Sequence, residues 1–193
     1  MAREQGAEVI DFNHEDPIEA IKGLTNGIGV GRAIDAVGVD AVQAHRGPAA
    51  TQSKKMRAQF EKELKEVAPE QNPQDGNWEP GDAPSQALIW GVEALAKAGT
   101  LSIVGVYSEQ SNRFPIGVAM NKNLTLKMGN CNHRKYLPYL IDLVLSGRLD
   151  PANVLTQIEP MMSVIDAYKA FDQRQPGRMK VKLVPAQEEN LAA

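Results

Sequence analysis

The sequence predicts an α/β fold, in which a doubly wound parallel sheet carries a surface insertion. Short apolar segments alternate with segments of helical periodicity, an order that is typical of parallel sheets with helices on both faces. The segment Leu101–Val106 lacks polar alternation, as expected for a strand covered on both faces. Between residues 47 and 84 the composition shifts to Lys, Glu, Gln, Asn and Pro, which indicates an insertion on the surface.

The first part of the chain contains two predicted strands with a helix between them. Asp16 followed by Pro17 gives an N-cap and a first-turn proline, so the spacing predicts a helix over 17–24, which Thr25-Asn26-Gly27 ends. Apolar runs on either side predict strands over 8–12 and 30–37. The core candidates of the second strand are Ile34, Ala36 and Val37.

The insertion is predicted to hold a helix over 54–67, followed by a loop over 69–84. Met56, Phe60 and Leu64 fall four residues apart and form a narrow stripe that suits docking of this helix against the body. Two interpretations stay open at this point, because long insertions are either solvated excursions or lids over a functional site.

The remaining elements continue the alternation. Helices are predicted over 86–98 and 134–148, a third helix is capped by Ser163, and strands are predicted over 100–106, 124–128 and 180–184. The predicted inner faces of the helices consist of Leu88, Val92 and Leu95; of Leu137, Leu140, Ile141, Val144 and Leu145; and of Val164, Ala167, Tyr168 and Phe171.

Composition excludes several classes of protein. The 193 residues include 21 basic and 24 acidic side chains, a net charge of −3 that favours neither nucleic acid nor an anionic membrane. No apolar run reaches the roughly 20 residues that span a bilayer. With Cys131 as the single cysteine and no apolar stretch near the amino terminus, the sequence predicts a cytoplasmic protein without disulfides or a secretory signal.

The residues that are able to carry chemistry lie at predicted strand ends. Val37-Gly38 and Val104-Gly105-Val106 each end a strand, where glycine leaves backbone groups open to a flat ligand. The alternative is that Gly38 and Gly105 only relieve crowding in the turns. The cluster of glycines over 27–31 precedes a strand, whereas a dinucleotide-binding glycine turn follows one.

No catalytic residue or metal ligand is predicted. The histidines His14, His45 and His133 are scattered, and Cys131 stands too close to His133 for the usual zinc spacing. A nucleophile-elbow motif is absent from the sequence. Lys180 enters the last predicted strand, where it either reaches a phosphate or is simply solvated.

Four segments in a fixed order resemble the medium-chain, zinc-dependent alcohol dehydrogenase family, and within it the formaldehyde and threonine-type dehydrogenases. The segments are Arg32–Gly38, Ile103–Val106, Leu124–Asn130 and Lys180–Val184. The resemblance implies an incomplete Rossmann-like domain over 1–150, with the insertion at about 47–84. It also implies that the helix and strand over 151–193 return to a catalytic domain.

The resemblance further implies a site for NAD. Val37 and Gly38 would line its adenosine side, while Gly105 and Val106 would contact the nicotinamide ring. Val104 would also bind the cofactor. Asn130 and Cys131 would lie near the carboxamide, and Lys180 would face the pyrophosphate. The strand over 124–128 would join two subunits in a homodimer.

The family's zinc ligands and glycine fingerprint precede the region that begins at Met1, so the resemblance implies a carboxy-terminal part of an alcohol or aldehyde dehydrogenase that is inactive alone. Two alternatives remain. One is a noncatalytic nucleotide-binding or dimerisation module. The other is a partner that completes a separately encoded amino-terminal half.

Overall fold

The computed structural model describes residues 2–67, 81–173 and 175–185, which divide into two compact units. Among these residues the first unit covers 2–67 and 81–129, and the second unit begins at Asn130. The division after residue 150 that the family resemblance implies stays a prediction. No helix in the described residues is long and apolar enough to cross a membrane.

The described residues of the first unit form an α/β layer with three strands in the order β1-β2-β3. Both strand pairs are parallel, with Asp35 opposite Ile103 and Ile103 opposite Met128. The carboxyl ends of the strands therefore lie along one edge, as the alternating sequence predicts. The elements are α1 (Pro17–Leu24), β1 (Val30–Asp35), α2 (Ala50–Val67), α3 (Gln86–Ala94), β2 (Leu95–Ile103), α4 (Ile116–Asn121) and β3 (Thr125–Met128).

Helix α1 confirms the predicted capping. The Asp16 carboxylate accepts hydrogen bonds from the backbone N–H of Ile18 at 2.9 Å and of Glu19 at 3.1 Å, and Pro17 occupies the first turn. The helix ends where predicted, since Thr25 is its C-cap and Gly27 has a φ of 79°.

The main core lies between α3, β2 and α4. Its buried members are Leu88, Val92, Leu95, Leu101 and Ala119. The predicted inner face of α3 is therefore confirmed, but the helix ends at Ala94 instead of residue 98, because Leu95 is already extended and enters β2. At the end of the helix, the Lys122 ammonium donates hydrogen bonds to the carbonyls of Val92, Glu93 and Leu95 at 2.7–3.0 Å.

Several predictions for the strands are wrong. Residues 8–12 form no strand, and among the described residues β1 pairs with β2 alone. Ile34, Ala36 and Val37 are exposed rather than buried. Ile34 points to the sheet face opposite that of the buried Asp35, and the remaining two residues follow the strand end. Strand β2 ends at Ile103, so Val104–Val106 form a loop instead of a strand covered on both faces.

The insertion helix α2 docks against the first unit. Phe60 is fully buried in a cluster with Ala83 and Ile89, and Met56 packs on it. The predicted docking is thereby confirmed for Met56 and Phe60, whereas Leu64 is half-buried outside this cluster; the helix begins at Ala50 instead of residue 54. Most of the loop predicted over 69–84 lies outside the described residues; its end runs beside residues 39–41, with Ala83 N–H donating to the Ala41 carbonyl at 3.0 Å.

The second unit contains α5 (His133–Leu145), β4 (Gln157–Pro160), α6 (Val164–Asp172) and β5 (Val181–Val184). Strands β4 and β5 form a parallel pair, of which the sequence predicted only β5. Both predicted helices are present, but α5 ends at Leu145 instead of residue 148. Ser163 donates its hydroxyl to the Pro160 carbonyl instead of capping α6. The predicted inner face of α5 is wrong, because its apolar side chains are exposed, and in α6 only Ala167 is buried.

Candidate functional site

The loops that follow β1 and β2 are joined by their backbones. Both Val104 N–H and Gly105 N–H donate to the Asp35 carbonyl, at 2.8 and 2.9 Å. In return, Val39 N–H donates to the Val106 carbonyl at 3.0 Å. The two loops therefore form one surface at the carboxyl ends of neighbouring parallel strands, the usual place for a ligand in an open α/β sheet.

The buried Asp35 carboxylate holds this surface together. Its Oδ1 accepts from Val37 N–H at 2.9 Å and from Gly38 N–H at 3.1 Å. Its Oδ2 accepts from the Tyr107 hydroxyl at 2.6 Å. Burial and, to a lesser extent, this hydrogen bond raise the pKa of Tyr107, so its hydroxyl stays a donor. Asp35 therefore acts as a structural acceptor within the loops.

Gly38 and Gly105 lie against each other where the loops cross. Gly38 has a φ of 69°, and a Cβ at Gly38 would come within 3.0 Å of the Val106 backbone. A Cβ at Gly105 would come equally close to the Gly38 backbone. The geometry favours the interpretation that these glycines relieve crowding, and their roles in a cofactor site stay predictions.

The predicted site residues divide between the two units. Val37, Gly38, Val104, Gly105 and Val106 all lie together at the ends of β1 and β2, and are called the β1–β2 edge below. Three of them present apolar side chains to solvent, with exposures of 49% for Val37, 70% for Val104 and 78% for Val106. Asn130, Cys131 and Lys180 belong to the second unit and are exposed.

Sequence reasoning missed the two side chains that organise the β1–β2 edge. A signal for Asp35 existed, because an aspartate that precedes a glycine turn often accepts hydrogen bonds from the turn's N–H groups. Tyr107 offered none, since its contact with Asp35 joins residues 72 positions apart.

Gly27 and Gly29 lie between α1 and β1, and Gly31 lies at the start of β1, so all three are at the opposite end of the strand from the β1–β2 edge. A Cβ at Gly29 would collide with the backbone around Ala94 and Ala96. Gly29 therefore permits the close approach of the chain before β1 to the start of β2.

The described histidines and Cys131 do not fit a zinc centre. No group of three or more His, Cys, Asp or Glu in the described ranges is arranged to hold a metal ion. His14 Nδ1 lies 2.8 Å from Asp11 Oδ2, and His45 Nε2 lies 3.7 Å from Asp82 Oδ2, so each faces one carboxylate.

Curated relatives cover nearly the whole chain. A zinc-type alcohol dehydrogenase-like protein of Bacillus subtilis (strain 168) is 28% identical over 184 residues, which are 95% of this chain and 42% of that protein. An alcohol dehydrogenase of Cupriavidus necator is 25% identical over 96% of this chain and 39% of its own length. A zinc-type relative of Schizosaccharomyces pombe is 36% identical over 90 residues, 47% of this chain. The chain is homologous to zinc-type alcohol dehydrogenases.

Solved structures of alcohol dehydrogenases share the fold. The alcohol dehydrogenase of Thermus sp. ATN1 superposes with a TM-score of 0.62 at 24% identity, over 95% of this chain and 40% of that one. The 2R,3R-butanediol dehydrogenase of Bacillus subtilis gives 0.60 at 17% identity, with the same coverage. No protein-family model matches the chain. The chain thus spans about 40% of the length of these dehydrogenases.

Proposed function

We propose that the β1–β2 edge is the floor of a nicotinamide dinucleotide site, and that the chain is the cofactor-domain part of a zinc-type, NAD-dependent alcohol or aldehyde dehydrogenase. The observation that carries the proposal is the interlocked pair of loops at the carboxyl ends of β1 and β2, with three exposed valines. An apolar, rigid surface at this place suits a flat heteroaromatic ring.

The residues take the roles that the family resemblance implies. Val37 and Gly38 line the adenosine side, and Val104, Gly105 and Val106 lie beneath the nicotinamide. The roles of Asn130 and Cys131 at the carboxamide and of Lys180 at the pyrophosphate stay predictions of the family resemblance. When bound, the cofactor supplies hydride exchange with an alcohol or carbonyl carbon. The chain's own residues bind the ring, orient it and keep water from its lower face.

Finer features belong to the same proposal. The parent reaction is oxidation of a small alcohol or aldehyde, of the formaldehyde type, in the cytoplasm. The isolated chain is inactive, as the family resemblance implies. Strand β3 pairs with β2 alone among the described strands, and we propose that its open edge joins a second copy in a homodimer.

A calorimetric titration with NADH tests whether the β1–β2 edge binds the cofactor. We expect a dissociation constant on the order of 1 mM for the unmodified chain. Val106→Asp places a charge under the ring and should abolish the binding heat. Ile28→Asp is the matched control, because Ile28 is comparably exposed but lies at the amino end of β1. Equal binding by both variants, or no binding by the unmodified chain, contradicts the proposed site.

A chimera tests the activity. This chain replaces the matching segment of the Bacillus subtilis zinc-type relative, and alcohol-dependent NADH formation is then measured. Turnover by the chimera supports the dehydrogenase. Binding of NADH by the chain without turnover in the chimera supports the second candidate, a noncatalytic nucleotide-binding module. Stoichiometric zinc with turnover by the chain itself contradicts the proposed inactivity.

A further inference from the structure

Glu63 is a buried carboxylate on the insertion helix α2, outside the β1–β2 edge. The residue is 3% exposed, and its two oxygens accept from neutral donors. Oε1 accepts from Gln59 Nε2 at 2.8 Å, and Oε2 accepts from the Ser85 hydroxyl at 2.6 Å. A buried charge is costly without such partners and without an opposite charge nearby. Its position therefore calls for a structural explanation.

Ser85 connects Glu63 to the beginning of α3. It occupies the N-cap position, where a serine side chain ordinarily accepts a hydrogen bond from the first turn of the helix. Here the side chain makes no capping bond, and its hydroxyl donates to Glu63 instead. The start of α3 is thus tied to α2 rather than capped by itself.

Arg113 supplies the opposite charge and connects Glu63 to a second place. Its Nε lies 3.8 Å from Glu63 Oε1, and its side chain is partly exposed. Arg113 stands near the end of the loop that follows β2, whose start is fixed by the bond from Tyr107 to Asp35. Glu63, Ser85, Tyr107 and Arg113 line one small cavity. The loop therefore contacts β1 near its start, through Tyr107, and the insertion near its end, through Arg113.

We infer that Glu63 is a positioning residue through which the insertion helix α2 holds the loop following β2, and with it Gly105 and Val106, in the conformation that a dinucleotide requires. The insertion then supports the β1–β2 edge, and is neither a solvated excursion nor a lid. The part of this inference that concerns the dinucleotide rests on the proposed function; the restraint of the loop does not.

Amide hydrogen exchange of the full chain, read by mass spectrometry, tests the restraint. Glu63→Gln keeps the shape and the acceptor for Ser85 but removes the charge that attracts Arg113. We expect exchange in residues 107–113 to become about tenfold faster, equivalent to about 1.4 kcal/mol. Glu61→Gln is the matched control, because Glu61 is exposed on the same helix and pairs with Arg57 of that helix. Unchanged exchange in Glu63→Gln overturns the inference.

A second pair of variants, at Arg113, tests the same restraint even if Glu63→Gln does not fold. Arg113→Gln removes the partly exposed partner and should loosen the same residues, whereas Arg113→Lys retains the charge and should restore most of the protection. Arg57→Gln is the control for a lost surface charge. Equal exchange in Arg113→Gln and Arg113→Lys contradicts a charge-based restraint.

Titration of the same variants with NADH separates the restraint of the loop from its role in cofactor binding. If the unmodified chain binds NADH, Glu63→Gln should weaken binding several-fold while Glu61→Gln does not. If the unmodified chain does not bind, the proposed function fails and the exchange experiment still decides whether Glu63 restrains the loop. Faster exchange with unaltered NADH affinity overturns the role of Glu63 in cofactor binding.

Discussion

The two units differ in what their amphipathic helices contact. In the first unit, the apolar face of α3 is buried against β2 and α4, with Val92, Leu95 and Leu101 shielded almost completely. In the second unit, α5 has the same helical periodicity, yet Leu137, Leu140 and Leu145 are all exposed. Ala167 is the one buried residue among those described there. Periodicity therefore identifies the apolar face of a helix but does not reveal what covers it.

Truncation of a leucine in each unit gives the largest expected difference. Leu101 is fully buried in the main core, so Leu101→Ala should lower the free energy of unfolding by about 3 kcal/mol. Leu140, on α5, is 41% exposed, and Leu140→Ala should cost less than about 1 kcal/mol. Urea unfolding followed by circular dichroism measures both. Equal losses would mean that α5 is packed as tightly as the core of the first unit.

Two glycine substitutions in the first unit test the close crossing of its loops. Gly105→Ala forces a methyl group into the Gly38 backbone and should cost about 2 kcal/mol. Gly31→Ala is the matched control, because a Cβ there meets no atom within 4 Å and its φ lies outside the left-handed region. Both are compared by the midpoint of thermal unfolding. A neutral Gly105→Ala would contradict the close crossing of the two loops.

Loss of one hydroxyl in each unit should give the smallest difference. Tyr107→Phe removes a donor from the buried Asp35 carboxylate and should cost about 1.5 kcal/mol in urea unfolding at pH 8. Ser163→Ala removes an exposed bond to the Pro160 carbonyl in the second unit and should change stability by less than about 0.5 kcal/mol. Equal losses of unfolding free energy in the two variants would contradict a stabilising hydrogen bond from Tyr107 to the buried Asp35 carboxylate.

The raised pKa of Tyr107 adds a dependence on pH. Because the folded pKa lies above the ordinary value of 10.0, the folded state holds the proton more tightly than the unfolded state. The stabilising contribution is complete below pH 10 and declines as the pH rises above it. The difference in the free energy of unfolding between the native protein and Tyr107→Phe should therefore shrink as the pH rises above 10. A stability difference that instead grows above pH 10 would contradict the raised pKa of Tyr107.

Local signals in the sequence predicted much of the fold. Capping at Asp16 and Pro17 defined α1, and the spacing of Met56 and Phe60 indicated that α2 docks. Other features depend on distant partners. Residues 8–12 are apolar enough for a strand but have no neighbouring strand to pair with in the described structure, and α3 ends early because Leu95 joins the sheet.

In the candidate site, too, contacts between residues that are distant in the sequence could not be predicted. Sequence reasoning located the β1–β2 edge, since glycines at predicted strand ends are visible in one dimension. It did not find that Gly38 and Gly105 touch each other, nor that Tyr107 reaches Asp35, because both contacts bring distant residues together. The link from Glu63 to Arg113 was equally hidden, as it joins the insertion to a loop 50 residues further along the chain.

Nuclear magnetic resonance of the ¹⁵N-labelled chain tests the central claim most directly. NADH is titrated into the protein, and the shifts of the backbone amides are followed. We expect the largest shifts at Val37, Gly38 and Val104–Val106, with little change at the amino end of β1 around Ile28. Shifts confined to other parts of the chain, or none at millimolar NADH, would contradict a dinucleotide floor at the β1–β2 edge.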